Sequence, residues 1–390
     1  MNQRPVIATG QQIGAGWSPA LSVAKALAAL AEARRTGGEA VYWLADEDHD
    51  RAEVASVVGW SGDRLIRHRF RFEAPLGTAT GWLPWTPAHQ TEASALWGPL
   101  PEPIQPTLRG HVLALGQPLW QRGLRPFSPT DPAVREPVQA VLERWRTLDL
   151  ESLLAQQADA LTEQGEPLPL NPRVQASWFA LDPRSGRRQR LEAGAALPKG
   201  HWLSPGAVIR PLMQSLMLPV EAVVLGPSER AYWRLCESLW ERVDMQAPRI
   251  IPRPSVFVVP HGRHVAAGQL DALRLGAWDR LAAWGGTLPS TRLRTTEADL
   301  AWPGPIQLRF QREQARTLER LVTLDRRLHR EAAATFFGGD PERVRQALFP
   351  FDRPQERVVP GVPWLRSAPL LDAILDRMDG ETPLILVEEP

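Results

Sequence analysis

Residues 4–50 read RPVIATGQQIGAGWSPALSVAKALAALAEARRTGGEAVYWLADEDHD, and this stretch decides the fold. Residues 4–8 and 40–45 are short apolar runs, as buried strands of a parallel sheet are. Between them lies a helical pattern rich in alanine and leucine, with Ser18 as its expected N-cap and Pro19 as its first helical residue. The stretch therefore predicts a strand, a helix and a second strand that form one parallel βαβ unit.

Polar side chains follow both predicted strands. Gln11 and Gln12 come after the first strand, and the five consecutive polar residues 46–50 come after the second. Because open α/β sheets bind ligands at the carboxyl ends of their strands, these groups should share one cleft. The negative charge at 46–50 would be unfavourable unless a ligand, a metal or an arginine relieves it, and the alternative is a solvated loop.

Composition limits the classes of protein to which this chain can belong. With 43% hydrophobic and 23% charged residues in 390, it has the composition of a soluble globular protein with one large α/β domain or two domains. A net charge of +1 provides no general attraction for nucleic acid or for a membrane surface. No signal peptide or membrane-spanning run is visible, so the cytoplasm is the expected location. The single cysteine, Cys236, has apolar neighbours in a predicted helix, which indicates a structural residue rather than a nucleophile.

The remaining pattern divides the chain into a core and a C-terminal region. A Rossmann-like parallel sheet core is expected over residues 1–265, with an inserted α+β region at about 75–200 that contains a β-hairpin at 173–191. Residues 266–390 are mainly helical in pattern, and 306–337 indicate one long helix whose apolar stripe suits a short coiled coil. The predicted class is therefore α/β with a helical C-terminal region.

A second strand-to-helix turn follows the insertion. Residues 222–225 are an apolar run that ends at Gly226, and Ser228 is a suitable N-cap for the helix after it. Such helix starts attract anions. Upstream, Arg210 and Gln214 are four residues apart and can face the same way on a helix. The first turn of the chain is not G-x-G-x-x-G and GK[ST] is absent, so neither a dinucleotide fingerprint nor a P-loop is supported.

Seven short motifs occur in a fixed order along the chain. They are TGQQ-x-G at 9–14, W-x-A-x-EDHD at 43–50, LSP-x-x-x-x-RP-x-x-Q at 203–214, GP-x-E-x-AYW at 226–233, PRPS at 252–255, LFP at 348–350 and QER at 355–357. Their order and spacing resemble the BshC family, the proposed cysteine ligases of bacillithiol biosynthesis, over nearly the whole chain. The resemblance implies that L-cysteine is joined to the amine of glucosaminyl-malate, with these two small molecules as the substrates.

The resemblance, together with the chemistry of the side chains, gives a candidate site. An amine must lose a proton before it attacks, so His49 is the candidate base and Asp48 its orienter or a ligand to the amine. Glu47 and Asp50 are candidate contacts to a metal or to sugar hydroxyls, and the carboxylates that flank His49 should stabilise its protonated form. The candidate substrate-binding residues are Thr9, Gln11, Gln12, Gly14, Lys25, Arg210, Gln214, Gly226, Ser228, Glu229, Tyr232, Arg253 and Ser255.

Several of these residues have a plain structural alternative. Gln11 and Gln12 suit the recognition of hydroxyls or a carboxylate, and equally suit an ordinary polar turn. Arg210 or Arg253 could clamp the malate carboxylates, but a salt bridge to one of the many acidic residues is the alternative for each.

The cofactor and two other functions stay open. Forming an amide requires an activated carboxylate, so ATP, with or without Mg²⁺, is expected from the chemistry, although no HIGH-like or KMSKS-like motif supports it. The resident metal is unknown. One alternative function is a related nucleotide-dependent ligase that acts on another amine, and the other is a non-catalytic homologue that binds ligand without turnover.

Four features depart from the family pattern. The leader segment before the first strand is almost absent, and the long coiled coil is much reduced, so the homodimer that the family pattern implies rests on a smaller contact. Ser215 stands where an aspartate often follows the glutamine of RP-x-x-Q, and the final ILVEEP lacks a histidine that is common there. One or more active-site groups of the family are therefore expected to be missing.

Overall fold

The computed structural model describes residues 4–62, 64–164, 177–192, 194–259, 317, 320, 350–352, 355–380 and 384–388. The chain forms two compact units, one of residues 1–256 and 356–385 and the other of residues 257–355 and 386–390. The first unit contains the central sheet and the candidate site. The coiled-coil helix predicted at 306–337 lies outside the described residues except for two positions.

The described part of the chain contains twelve strands and thirteen α-helices. The strands are β1 Val6–Gln11, β2 Glu39–Leu44, β3 Ser56–Ser61, β4 Arg64–Arg69, β5 Leu124–Phe127, β6 Trp178–Leu181, β7 Arg188–Arg190, β8 Trp202–Pro205, β9 Val220–Leu225, β10 Arg249–Pro252, β11 Ser255–Val259 and β12 Leu384–Glu388. The helices are α1 Leu21–Thr36, α2 Arg51–Ala55, α3 Pro87–Trp97, α4 Leu108–Leu115, α5 Gln117–Trp120, α6 Pro132–Arg135, α7 Gln139–Arg146, α8 Leu150–Glu163, α9 Arg210–Met217, α10 Pro227–Trp233, α11 Glu237–Arg242, α12 Val362–Arg366 and α13 Ala368–Asp376.

The central sheet has five strands in the order β10-β9-β1-β2-β5, and every neighbouring pair is parallel. The three strands predicted at 4–8, 40–45 and 222–225 all belong to it, so the predicted Rossmann-like α/β core is confirmed. β1 continues to Gln11, which pairs with Leu44 of β2. A polar side chain ends an apolar run in the sequence, but it does not interrupt a backbone ladder.

The order of the strands creates a switch point beside β1. The chain passes from β1 to β2 and then to β5 on one side, and places β9 and β10 on the other side. Ligands of open α/β sheets bind at such a reversal, in the crevice outside the carboxyl ends of the strands. The crevice between β1 and β9 is therefore the position that the topology favours for a site.

Helices cover both faces of this sheet. α1 packs against β1, β2 and β9, and α13 packs against α1. A separate hydrophobic cluster joins the alternate strand residues Val6, Ala8 and Val223 to α7, α8, α9 and α11. Since successive strand residues point to opposite faces, this cluster lies on the face away from Ile7. The inserted region adds a small antiparallel sheet, β7-β6-β8, and thereby confirms the predicted hairpin.

Three predicted local boundaries are wrong. α1 begins at Leu21 with Ala20 as its N-cap, because Ser18 instead ends the 3-10 turn Ala15–Trp17. α10 begins two residues earlier than a Ser228 cap would allow, because Pro227 is the first helical residue and Gly226 is the N-cap.

The third boundary error concerns the segment after the acidic residues. Residues 53–58 have strand-like composition, but α2 occupies Arg51–Ala55 and the strand β3 starts at Ser56. The cause is the side chain of Asp50, which accepts a hydrogen bond from the Glu53 backbone N–H and so caps a helix.

Candidate functional site

A cavity of about 260 Å³ lies at the switch point of the sheet. It is bounded by the carboxyl ends of β1 and β9, the residue after β2, and the helices α2, α9 and α10. Its polar lining consists of the side chains of Gln11, Gln12, Glu53, Arg210, Gln214, Glu229 and Tyr232. Six of these seven belong to the predicted substrate-binding set, so the structure brings six of the thirteen predicted residues together in the cavity lining.

The acidic segment 46–50 is not a solvated loop, because its first two carboxylates are fully buried. Asp46 and Glu47 both have 0% exposure. Asp46 Oδ2 accepts hydrogen bonds from Ser128 Oγ at 2.6 Å, Thr130 Oγ1 at 3.1 Å and Arg109 Nη1 at 3.2 Å. Burial raises the pKa of Asp46, although these donors oppose the shift. The segment is therefore anchored in the protein interior at its start.

Glu47 lies at the centre of a buried ionic cluster. Its Oε2 accepts hydrogen bonds from Arg135 Nη2 at 2.9 Å and Ser204 Oγ at 2.8 Å, and its Oε1 is 3.8 Å from Arg210 Nε. Burial alone would raise the pKa of Glu47, but the guanidinium groups of Arg135, Arg210 and Arg188 outweigh it and hold the pKa below its ordinary value. Arginine side chains thus offset the negative charge of Glu47, which is one of the three ways of relieving the charge at 46–50 that the sequence suggested.

Asp48 fixes the arginine that enters the cavity. Arg210 Nη1 donates to Asp48 Oδ2 at 2.6 Å, while Oδ1 of Asp48 accepts the backbone N–H of His49 at 2.7 Å. Burial would raise the pKa of Asp48, but Arg210 and Arg188 hold it well below its usual range. Asp48 therefore stays ionised at neutral pH and holds Arg210 charged, since Asp48 and Glu47 raise the pKa of that guanidinium against the effect of burial.

His49 is held from the inserted sheet. Arg188 Nη1 donates to His49 Nδ1 at 2.8 Å, and the Arg188 guanidinium lies 3.8 Å from the centre of the Phe179 ring. Burial and Arg210 lower the pKa of Arg188 to about 9, so it remains charged at neutral pH. Since an arginine only donates, Nδ1 is the acceptor atom and the ring proton sits on Nε2.

Asp48 and Asp50 stabilise the protonated form of His49, as expected, but other groups outweigh them. Burial and the positive charge of Arg188 lower its pKa, and Asp48 and Asp50 do not compensate. His49 is therefore neutral near pH 7, and it is not among the side chains that line the cavity. The role of His49 as a base, with Asp48, Glu47 and Asp50 as helpers, stays a prediction.

Lys25 forms the floor beneath the other end of the cavity. It is fully buried, and its Nζ donates to the Gly10 carbonyl, to Gln11 Oε1 at 3.2 Å and to Glu229 Oε1 at 2.6 Å. Burial lowers the pKa of Lys25, and Glu229 opposes the shift. This contact orients Gln11 and Glu229, so Lys25 acts here on lining residues rather than in the cavity itself.

The start of α10 does not fit a phosphate group. Glu229 Oε2 accepts the Gly226 backbone N–H at 2.8 Å, so the helix start already carries a carboxylate. The anion site expected from the sequence at this turn is therefore filled from within the chain. Burial also raises the pKa of Tyr232, which stays a neutral hydroxyl in the cavity wall.

The other predicted binding residues lie outside the cavity lining. Arg253 is buried and forms a two-pronged ion pair with Glu356, at 2.7 and 2.8 Å, so the salt-bridge alternative describes its contacts. Thr9 Oγ1 donates to the Val224 carbonyl at 3.2 Å and ties β1 to β9. Gly14 approaches Ser18, whose carbonyl would lie 2.6 Å from an added Cβ. Ser255 begins β11, and Ser228 is exposed on α10.

Sequence reasoning missed several residues of the site. Arg135, Arg188 and Ser204 complete the ionic cluster, yet they lie 88 or more positions from their acidic partners in the chain. Glu53 lines the cavity, and its signal was the spacing of Asp50 and Glu53 across a helix start. The composition of residues 53–58 instead predicts a strand, so Glu53 is not among the candidate residues from the sequence.

Within the described part of the chain, no three His, Cys, Asp or Glu side chains are grouped as a metal site would be. No helix in the same part is long and apolar enough to cross a membrane. Cys236 is fully buried, its Sγ donates to the Val208 carbonyl at 3.0 Å, and burial raises its pKa. The prediction that it is a structural residue agrees with this environment.

Comparison with known proteins shows a similarity to one family. A family model described as "Bacillithiol biosynthesis BshC, N-terminal Rossmann-like domain" matches residues 182–254. A Thermus thermophilus protein named "Putative cysteine ligase BshC" is 28% identical over 91% of this chain and 82% of its own length. A Solibacter usitatus protein of the same name is 28% identical over 65% of this chain and 55% of its own length. The chain is thus similar to proteins of the BshC family over most of its length.

The match to the BshC family coincides with the site. The matched residues 182–254 contain Arg188, Arg210 and Glu229, which hold the acidic segment and line the cavity. The longer Thermus alignment covers 91% of the chain, as expected if the motifs at both ends derive from the same family. These BshC relatives are named as putative cysteine ligases.

Proposed function

We propose that this chain joins L-cysteine to the amine of glucosaminyl-malate in bacillithiol biosynthesis, and that the cavity beside β1 holds the reacting groups. The names of the relatives support the reaction class. The observation that carries the assignment is the lining of the cavity, which combines one guanidinium, two carboxylates and three amide side chains.

Each part of this lining has a counterpart in the proposed acceptor. Arg210, kept charged by Asp48, suits a malate carboxylate through charge-assisted hydrogen bonds. Glu53 and Glu229 suit an ammonium group. The amides of Gln11, Gln12 and Gln214 both donate and accept hydrogen bonds, which suits sugar hydroxyls. The lining also explains why charge complementarity, rather than apolar contact, would select this acceptor.

The cysteine carboxylate needs activation before an amine can displace a leaving group from it. We propose ATP as the co-substrate that supplies this activation, with Mg²⁺ as its companion ion. This proposal rests on the chemistry of amide formation alone. The start of α10 adds no support for it, because Glu229 occupies that helix start and leaves no phosphate site there. Cytoplasmic location and a homodimer are likewise proposals that follow from the family.

A direct assay tests the proposed function. Purified protein is incubated with glucosaminyl-malate, L-cysteine and ATP, and mass spectrometry follows the amide product, with each component omitted in turn. We expect product only in the complete mixture. Product with a different amine, and none with glucosaminyl-malate, would support the alternative ligase. Binding of glucosaminyl-malate with no turnover under any nucleotide would support a non-catalytic homologue.

A further inference from the structure

Glu53 is a carboxylate of the cavity lining that has no side-chain partner among the residues that the structure describes. It is the third residue of α2, and its backbone N–H donates to Asp50 Oδ1 at 3.1 Å, which fixes the start of that helix. The side chain is exposed, lines the cavity, and makes no hydrogen bond or ion pair with any described residue. The start of α2 therefore fixes the backbone of Glu53 through its N–H and does not engage the side-chain carboxylate.

The other ionisable groups near the cavity are already engaged. Arg210 is paired with Asp48, and Glu229 accepts from both Lys25 and the Gly226 N–H. His49 holds its acceptor nitrogen against Arg188. Glu229 and His49 would each have to break a contact of 2.6 to 2.8 Å before they could take a proton, and the Arg210 guanidinium is already protonated.

We propose that Glu53 binds the ammonium group of the acceptor substrate and takes up the proton that this group loses before the amine attacks the activated cysteine. The inference rests on the proposed function. The bound ammonium first gives one proton to the Glu53 carboxylate, and the lone pair of the resulting neutral amine forms the new C–N bond. The activating group leaves with the electrons of its bond to the acyl carbon, and this anionic leaving group takes the second N–H proton as the amide forms. A nucleoside triphosphate supplies the activation.

The surroundings of Glu53 suit a base. On its own segment it faces Asp48 and Asp50, and the other charged or titratable groups of the cavity lining are Arg210, Glu229 and Tyr232. Partial burial, together with Asp50 and Asp48, raises the pKa of Glu53. A carboxylate with a raised pKa is a stronger base, and it loses this ability as the pH falls through that pKa.

The first test measures binding without turnover. Calorimetry gives Kd for glucosaminyl-malate and for its N-acetylated form, which has no ammonium group, with wild type, Glu53→Gln and Glu102→Gln. Glu102 is an exposed glutamate outside the cavity lining and serves as the matched control. We expect Glu53→Gln to raise the Kd of the amine about tenfold and to leave that of the N-acetylated form unchanged.

The second test measures turnover against pH. We expect Glu53→Gln to lower kcat by about 10² to 10⁴ and to remove the acid limb of the pH profile, while Glu53→Asp retains that limb. If wild type binds and turns over the amine and Glu53→Gln behaves identically in both tests, the inference is wrong and the proposed function stands. If wild type binds neither form, both fail together.

Discussion

Arg210 Nη1 donates a 2.6 Å hydrogen bond to Asp48 Oδ2, across a separation of 162 positions in the sequence. This contact joins the EDHD and RP-x-x-Q motifs, which the sequence shows only as separate features. Asp48 lies outside the cavity lining, whereas Arg210 is part of that lining. The acidic segment therefore holds a positively charged side chain at the cavity. The carboxylates of Asp46, Glu47 and Asp48 already accept hydrogen bonds within the protein.

The support of Arg210 should depend on pH. The pKa of Asp48 is lowered in the folded state, so its stabilising contribution is complete above the ordinary carboxyl pKa of 3.8 and is lost as the pH falls below that value. We expect Asp48→Asn to reduce the free energy of unfolding at pH 7 by about 1.5 to 3 kcal/mol. Urea unfolding of both proteins at several pH values measures this difference.

The difference between wild type and Asp48→Asn should shrink between about pH 5 and pH 3, because unfolded wild type then gains the proton that the folded state resists. Asp50→Asn is the matched control, since Asp50 is exposed and does not pair with Arg210. A difference that stays constant from pH 7 to pH 3 would show that Asp48 and Arg210 are not coupled.

The buried pair of Arg135 and Glu47 should be costly to break from one side. Both side chains are fully buried and 2.9 Å apart. Arg135→Met leaves a buried carboxylate without its closest cation, which should lower the free energy of unfolding by about 3 to 5 kcal/mol. Chemical denaturation measures it. Glu143→Gln, which removes a half-exposed surface pair with Arg146, should cost about 1 kcal/mol or less.

A double-variant cycle separates coupling from packing in this pair. Arg135→Met combined with Glu47→Gln should be less destabilised than the sum of the two single variants, because the uncompensated charge is gone. If the two losses in the free energy of unfolding are additive, side-chain packing rather than charge determines them.

Cys236 should be chemically silent even though the proposed substrate, L-cysteine, is a thiol. Its sulfur is fully buried and its pKa is raised, so native protein should not react with a thiol reagent until it unfolds. We expect Cys236→Ser to retain turnover, since the serine hydroxyl can donate to the Val208 carbonyl in place of the thiol. Fast labelling of the folded protein, or loss of turnover in a folded variant, would contradict this.

The sheet could be predicted from the sequence because each strand is a local apolar run. Residues 4–8, 40–45 and 222–225 needed no partner to be recognised, and the parallel arrangement followed from the intervening helix. The helix starts were less accurate, since a neighbouring Pro227 or the Asp50 side chain decided between adjacent caps.

The ionic cluster could not be predicted, because nothing local marks its members. Arg135 lies in α6 and Arg188 in β7, both in the inserted region. The sequence alone does not distinguish a buried arginine from an exposed one. Only the fold brings them to Glu47 and His49. The sequence therefore shows the two carboxylates that raise the pKa of His49 but not the burial and the Arg188 charge that outweigh them and lower it.

The roles of His49 and Glu53 make opposite predictions for one variant. His49 has a lowered pKa and a partly exposed side chain, 38% accessible, but its acceptor nitrogen receives the Arg188 hydrogen bond. As the base, its loss should cost about 10² to 10⁴ in turnover. With Glu53 as the base, we expect His49→Ala to cost tenfold or less, to leave Tm nearly unchanged and to retain the acid limb of the pH profile. Steady-state kinetics from pH 5 to 9, compared with Glu53→Gln, measure this. A loss of 10² or more with His49→Ala, together with a changed acid limb, would return the proton transfer to His49.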